Sequence, residues 1–178
     1  MIRRARLVAF AAAAAALAAV TGSAATAGND SSAALTARLS GYQEDPQTIS
    51  TTGQGVFRAR IDDKKQEITY RLTYANLVGA ISQAHIHFGG RAQSGGVSVF
   101  LCTNLGNGPA GTQACPAAPA TVTGVIRAAD VIGPIGQGIA AGEFAELVAA
   151  IRAGATYVNV HSSQYPAGEI RAQLGHHH

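Results

Sequence analysis

Polar and apolar residues alternate along most of the chain from residue 34 to residue 174, and this period of two restricts the fold more than any other feature. In GVFRARID, Phe57, Ala59 and Ile61 fall on one side and Arg58 and Arg60 on the other. That is the pattern of a strand with one face in a core. The charged turn DDKK follows, and EITYRLTYANL returns as the partner strand, with Tyr70 and Tyr74 on one face, where sheet packing is the expected role. Further strands are legible at ALTARLSG, SQAHIHF, VSVFL, TVTGVIR, TYVNVHS and GEIRAQL, separated by turn-forming runs such as TTGQG, GGRAQSGG and YPAG. Short strands at this spacing, about eight of them, predict an all-β fold: an antiparallel, Greek-key-like β-sandwich or barrel.

One segment breaks the alternation. In GEFAELVAAIRAG the apolar residues Phe144, Leu147, Val148 and Ile151 recur at helical spacing. Glu143 and Glu146 near its start and Arg152 near its end complement the helix dipole, and Gly154 follows as a stop. The pattern predicts a single helix over 142–153, packed on the sandwich as a cover.

The N-terminus has a separate purpose. The basic MIRRAR, the apolar LVAFAAAAAALAAV and the small-residue run ending at Ala27 form the pattern of a secretory signal peptide, residues 1–27. The apolar run is too short to span a bilayer comfortably, so no membrane span is expected after cleavage, and the protein is expected to be secreted. Residues 28–33 form a flexible start, residues 34–174 one domain, and residues 175–178 a histidine-containing tail left out of the fold. Arg3, Arg4 and Arg6 account for the whole excess of 13 basic over 10 acidic residues. The exported part is therefore near neutral, which argues against a nucleic-acid partner. Arg58, Arg60, Lys64 and Lys65 are expected to form a solvated strand face and turn, too few for a polyanion footprint. Cys102 and Cys115 flank the loop TNLGNGPAGTQA and should form a disulfide in an oxidising compartment. Closing a loop of this size stabilises by about 3 kcal/mol in the chain-entropy model.

The candidate chemistry rests on three histidines. His85 and His87 are two apart in a strand and so share a face, while Ile86 points the other way. In TYVNVHS, Val158 and Val160 mark the core side, leaving Tyr157, Asn159 and His161 on the opposite side. All three histidines therefore lie away from the main core, as solvated sheet residues or as a metal site in a separate cavity. Three imidazoles with an open position suit copper, with zinc as the alternative. Binding would weaken as pH falls through the histidine range, because imidazole must be neutral to bind. Glu169 and Arg171 alternate with Ile170 and Ala172 and are expected to face outward, as a solvated pair or in a cross-strand ion pair. In a metal site they would support the ligands from behind, with Glu169 also a candidate for the open position. No Ser-His-Asp set, phosphate loop or carboxylate pair stands out, so no catalytic residue is assigned.

Taken together, LSGYQED, TTGQGVF, AHIHFGG, GGVSVFLC and AGATYVNVHSSQYPAGEIRAQL resemble the chordin-type CHRD domain over roughly residues 34–174. EDPQT stands where that family usually has a more apolar, proline-rich run. The resemblance implies an exported single-domain protein, and in animals such domains occur in a secreted protein that binds growth factors. A weaker similarity links HIHFGG and His161 to three copper ligands of Cu,Zn superoxide dismutase. No histidine lies between residues 88 and 160 to match that enzyme's bridging ligand or zinc site. The expected function is an exported binding protein holding one copper or zinc ion through His85, His87 and His161. The alternatives are an extracellular module with a protein partner and no metal, and a superoxide dismutase-like copper enzyme.

Overall fold

A computed structural model describes residues 32–175; the leader assigned to residues 1–27 and the terminal His176–His178 lie outside them. Eight strands follow in chain order: β1 (Ser32–Ser40), β2 (Gln54–Asp62), β3 (Glu67–Ala75), β4 (Ile81–Phe88), β5 (Gly96–Thr103), β6 (Ala120–Ile126), β7 (Thr156–Ser162) and β8 (Ile170–Leu174). The helix α1 spans Phe144–Arg152, inside the expected range. Gly154 just beyond it has φ of 67°, the left-handed conformation that ends helices.

The strands hydrogen-bond in the order β5-β4-β7-β8-β1-β2-β3-β6. β1 and β8 share only the pair Ser40–Arg171, so the sheet folds into two four-stranded layers joined at one corner. The far edges approach each other as well. The Tyr70 hydroxyl on β3 donates to the Leu101 carbonyl on β5 at 3.1 Å, and the Gln113 amide donates to both the Tyr70 hydroxyl and the Thr123 carbonyl. The result is an antiparallel, nearly closed barrel or sandwich, as the alternation predicts.

The alternating apolar residues meet between the layers. Phe57, Ile61 and Leu72 from one layer and Ile86, Val158, Val160 and Ile170 from the other belong to a single buried cluster. Phe144, Leu147, Val148 and Ile151 of α1 join the same cluster, so the helix seals the core as its spacing requires. Tyr70 stacks on Phe57 and Tyr74 is also buried, so both tyrosines pack inward. Cys102 and Cys115 form the expected disulfide, which fixes the loop after β5 against the core.

One layer departs from the simple pattern. On β7 and β8 every residue is buried on both faces. Loops carrying Glu44, Gly90, Gln93 and Gly95 cover the side where solvent was expected. Glu169 and Arg171, expected to face outward, are 0 % and 2 % exposed. Alternation marks which side is apolar; it does not tell whether the polar side meets water or a covering loop.

Replacing Cys102 and Cys115 together by alanine should lower stability by about 3 kcal/mol. The check is a urea midpoint that falls, with the free energy taken from both midpoint and slope because the unlinked chain unfolds further; an unmoved midpoint would contradict it.

Candidate metal centre

The β4–β7 register pairs His85 with Asn159, His87 with Tyr157, and Gln83 with His161. Directly paired residues project from the same face, which sets His161 diagonal to His85 on the face that carries both β4 histidines. Pairing of β4 with β5 shifts at Ala84/His85 and again at Ile86/His87. Such bulges re-aim side chains. The ligand atoms of His85, His87 and His161 all lie within 4.8 Å of one another. His85 Nδ1 is 3.2 Å from His161 Nε2. That contact is a hydrogen bond between the two rings.

The hydrogen bonds settle the tautomers. His87 Nδ1 is 2.9 Å from the Gly95 carbonyl, and His161 Nδ1 is 2.9 Å from the Pro166 carbonyl. A carbonyl only accepts, so both Nδ1 atoms carry the proton and both Nε2 atoms carry a lone pair. His161 Nε2 accepts from His85 Nδ1–H, which leaves His85 Nε2 with a lone pair too. His85 Nε2 and His87 Nε2 are buried without a hydrogen-bond partner. Buried polar atoms rarely stay unpaired, and a metal-ligating histidine characteristically donates its other N–H to a carbonyl. The centre therefore presents bare nitrogen lone pairs on imidazoles already oriented as ligands.

Burial keeps these rings neutral. Loss of solvation pushes His85 down to about 3, helped by His161 and His87 beside it. It pushes His161 down to about 4 against the opposing pull of the Pro166 carbonyl. His87 moves the same way, again chiefly by burial. Proton competition thus falls below the ordinary histidine range assumed from sequence.

Aromatic and cationic groups wall the centre. Phe100 meets His85 edge-on with centroids 4.3 Å apart, and Tyr157 stacks on His87 at 4.7 Å and 3°. The Arg171 guanidinium lies 3.5 Å from the Tyr157 ring centroid, and its Nη2 donates to the Gly90 and Gln93 carbonyls at 2.7 and 3.0 Å. Arg171 thus fastens the loop whose Gly95 carbonyl orients His87. Glu169 behaves differently: its Oε1 accepts from the Thr51 hydroxyl and the Val78 N–H, both at 2.7 Å. The structure brings Arg171 to the histidines through Tyr157 and turns Glu169 toward the 51–53 and 77–78 loops.

The CHRD domain family model matches residues 35–174. The chain belongs to the CHRD domain family. Searches of curated protein sequences and of solved structures returned no match.

Within this CHRD domain, Tyr157–His161 and Pro166–Arg171 supply the walls and hinges of one buried polar centre. Glu44 and Asn159, absent from the sequence-based site, form a second buried polar pair, with Asn159 opposite His85 in the strand register. Asn159 Nδ2 donates to both Glu44 carboxylate oxygens, at 2.8 and 2.9 Å. Gly168, with φ of 141°, covers this pair so closely that a Cβ there would lie 2.6 Å from both Asn159 Nδ2 and Glu44 Oε2. Glycine is needed at that position for conformation and for space. The only sequence signal for Glu44 was its place in LSGYQED, which no local periodicity connects to residue 159.

Burial raises the Glu44 carboxyl from 4.5 to about 7 although Asn159 and Arg171 oppose the shift; Asp45 and Glu169 add to it. A folded-state value above the unfolded one gives stability that is full below pH 4.5 and lost as pH rises through 7. The three histidines act with the opposite sign below pH 6.5, so the Glu44 contribution must be read as a difference between variants. From pH 4.5 to above 7, the stability of Glu44→Gln relative to the parent should improve by about 3 kcal/mol. Urea midpoints measured across that range check it; parallel profiles would contradict it.

Proposed function

We propose that this CHRD domain is an extracellular binding module that holds one copper or zinc ion through His85, His87 and His161. The observation that carries the reading is the pair of buried lone pairs at His85 Nε2 and His87 Nε2, beside a third imidazole oriented by the Pro166 carbonyl. Binding through three nitrogens would exchange the His85–His161 hydrogen bond for metal bonds. The ion would then sit among neutral imidazoles beside Phe100 and Tyr157, with the Arg171 cation, stacked on Tyr157, opposing its charge. An extracellular setting agrees with the family and with the disulfide.

The enclosure favours holding a metal over turning over a substrate. Both bare nitrogens are sealed from solvent, and the loops around Gly95 and Pro166 lie directly on the histidines. A dismutase needs an open coordination position that superoxide reaches. The folded core is independent of the centre, so the apoprotein should remain folded.

The test uses protein ending at Leu174, which removes the terminal histidines. Titration with copper and with zinc should show one equivalent bound, nitrogen coupling in the Cu(II) spectrum, and a rise in thermal midpoint with metal concentration. His85→Ala, His87→Ala and His161→Ala should each weaken binding more than the roughly 10- to 100-fold that follows loss of a supporting hydrogen bond. Parent-like binding by His161→Ala would refute the three-histidine centre. Failure of the parent to bind either metal would leave the histidines as a buried structural cluster.

A further inference from the structure

The solvent-facing side of the other layer, β1-β2-β3-β6, carries a second organised array. Register places Thr36, Arg58, Arg71 and Thr123 in one row across the four strands. The row on one side begins with Arg38, opposite Val56, and the row on the other contains Arg60, opposite Thr69. Threonine, valine and alanine fill the remaining positions of these three rows, without a carboxylate or an aromatic ring. Among the described residues of these strands, the acids nearest the array are at its end and engaged: Glu67 with Arg127, and Asp62 with Lys65. Arg38, Arg58 and Arg71 are exposed. Sequence alone showed only Arg58 and Arg60 together; strand pairing adds Arg38 and Arg71.

The placement works against the sheet. Arg58 and Arg71 are directly opposed, and like charges in that position destabilise strand pairing. Two shallow grooves, of about 670 and 810 Å³, run over the same face, one containing Arg58, Arg60 and Arg71 and the other Arg38. The arginines are rooted about 5 Å apart across strands, Cβ to Cβ, and about 7 Å apart along β2.

We propose that this face binds a linear, carboxylate-bearing polysaccharide. The guanidinium fork matches a carboxylate in two parallel hydrogen bonds. Threonine hydroxyls between the arginines both donate and accept, as sugar hydroxyls do. Other polyanions fit less well. Single-stranded nucleic acid needs aromatic platforms for its bases, and the tyrosines of this layer, Tyr70 and Tyr74, point inward. A membrane surface needs an apolar anchor beside the charges, and a protein interface needs buried aromatic anchors; the array has neither. The proposal is independent of the histidine centre, which lies in the other layer.

The experiment measures binding of the whole exported protein to immobilised polygalacturonate, starting at low ionic strength and rising to physiological salt, with a chelator present throughout. The parent should bind and weaken steeply with salt. Arg58→Thr/Arg71→Thr should bind about tenfold more weakly or worse, as loss of charge-assisted hydrogen bonds implies. Its thermal midpoint should hold or rise, because a like-charge pair is replaced by good strand formers. Lys65→Ser/Arg91→Ser removes two positive charges outside the array and should bind as the parent does. The proposal is overturned if the parent does not bind polygalacturonate, if both double variants lose binding equally, or if duplex DNA or anionic vesicles bind more tightly than the polysaccharide.

Discussion

The structure depends on how the polar face of β4, β7 and β8 is kept from water. Most sandwiches leave the outer face of each sheet solvated, where polar groups need no protein partner. Here covering loops lie over that face, so each polar group beneath them must be paired or bear an energetic penalty. Arg171 meets most of this requirement. Its guanidinium stacks on Tyr157, and its Nη2 holds two loop carbonyls. Gln173 continues the role one pair along, donating to the Gly89 and Gly154 carbonyls at 2.9 and 2.8 Å. These bonds hold the 89–95 loop against the strands, and that loop in turn orients His87.

The pairing has exceptions: besides the histidine nitrogens, Ser98 Oγ, Thr156 Oγ1, Glu169 Oε2 and Gln173 Oε1 are buried without a partner. Two of the buried nitrogens without partners belong to adjacent histidines whose other nitrogens are engaged. What sets the two imidazole nitrogens apart is that they lie in one cluster whose three rings bring their ligand atoms within 4.8 Å of one another. Asn159 Oδ1 is also unpartnered beside Glu44. Burial raises the Glu44 carboxyl toward neutrality, and the protonated form carries a donor that the carboxylate lacks.

The two layers use alternation in opposite ways. In β1-β2-β3-β6 the polar positions face solvent, so arginines on different strands gather into a cationic surface. In β5-β4-β7-β8 the polar positions are roofed over, and desolvation makes the imidazoles neutral and oriented. The same local pattern therefore produces an exposed electrostatic surface on one side of the molecule and an enclosed coordinating cluster on the other.

Strand positions, the helix and the disulfide were legible in the sequence because each rests on local physics: side-chain direction repeats every two residues in a strand and every three to four in a helix, and two cysteines flanked one loop. The shared face of His85 and His87 was legible for the same reason, and the facing of His161 followed from Val158 and Val160. What only the tertiary structure decided was burial and partnership. The burial of Glu169 and Arg171 is not legible from alternation, because period-two patterning reports side-chain direction and is silent about covering loops. Glu44 joins Asn159 across 115 positions of chain, and Arg58 meets Arg71 through strand register. Contacts of that kind are set by the free energy of the whole packed chain, in which loop placement, desolvation and strand pairing are decided together, so no local stretch of sequence contains them.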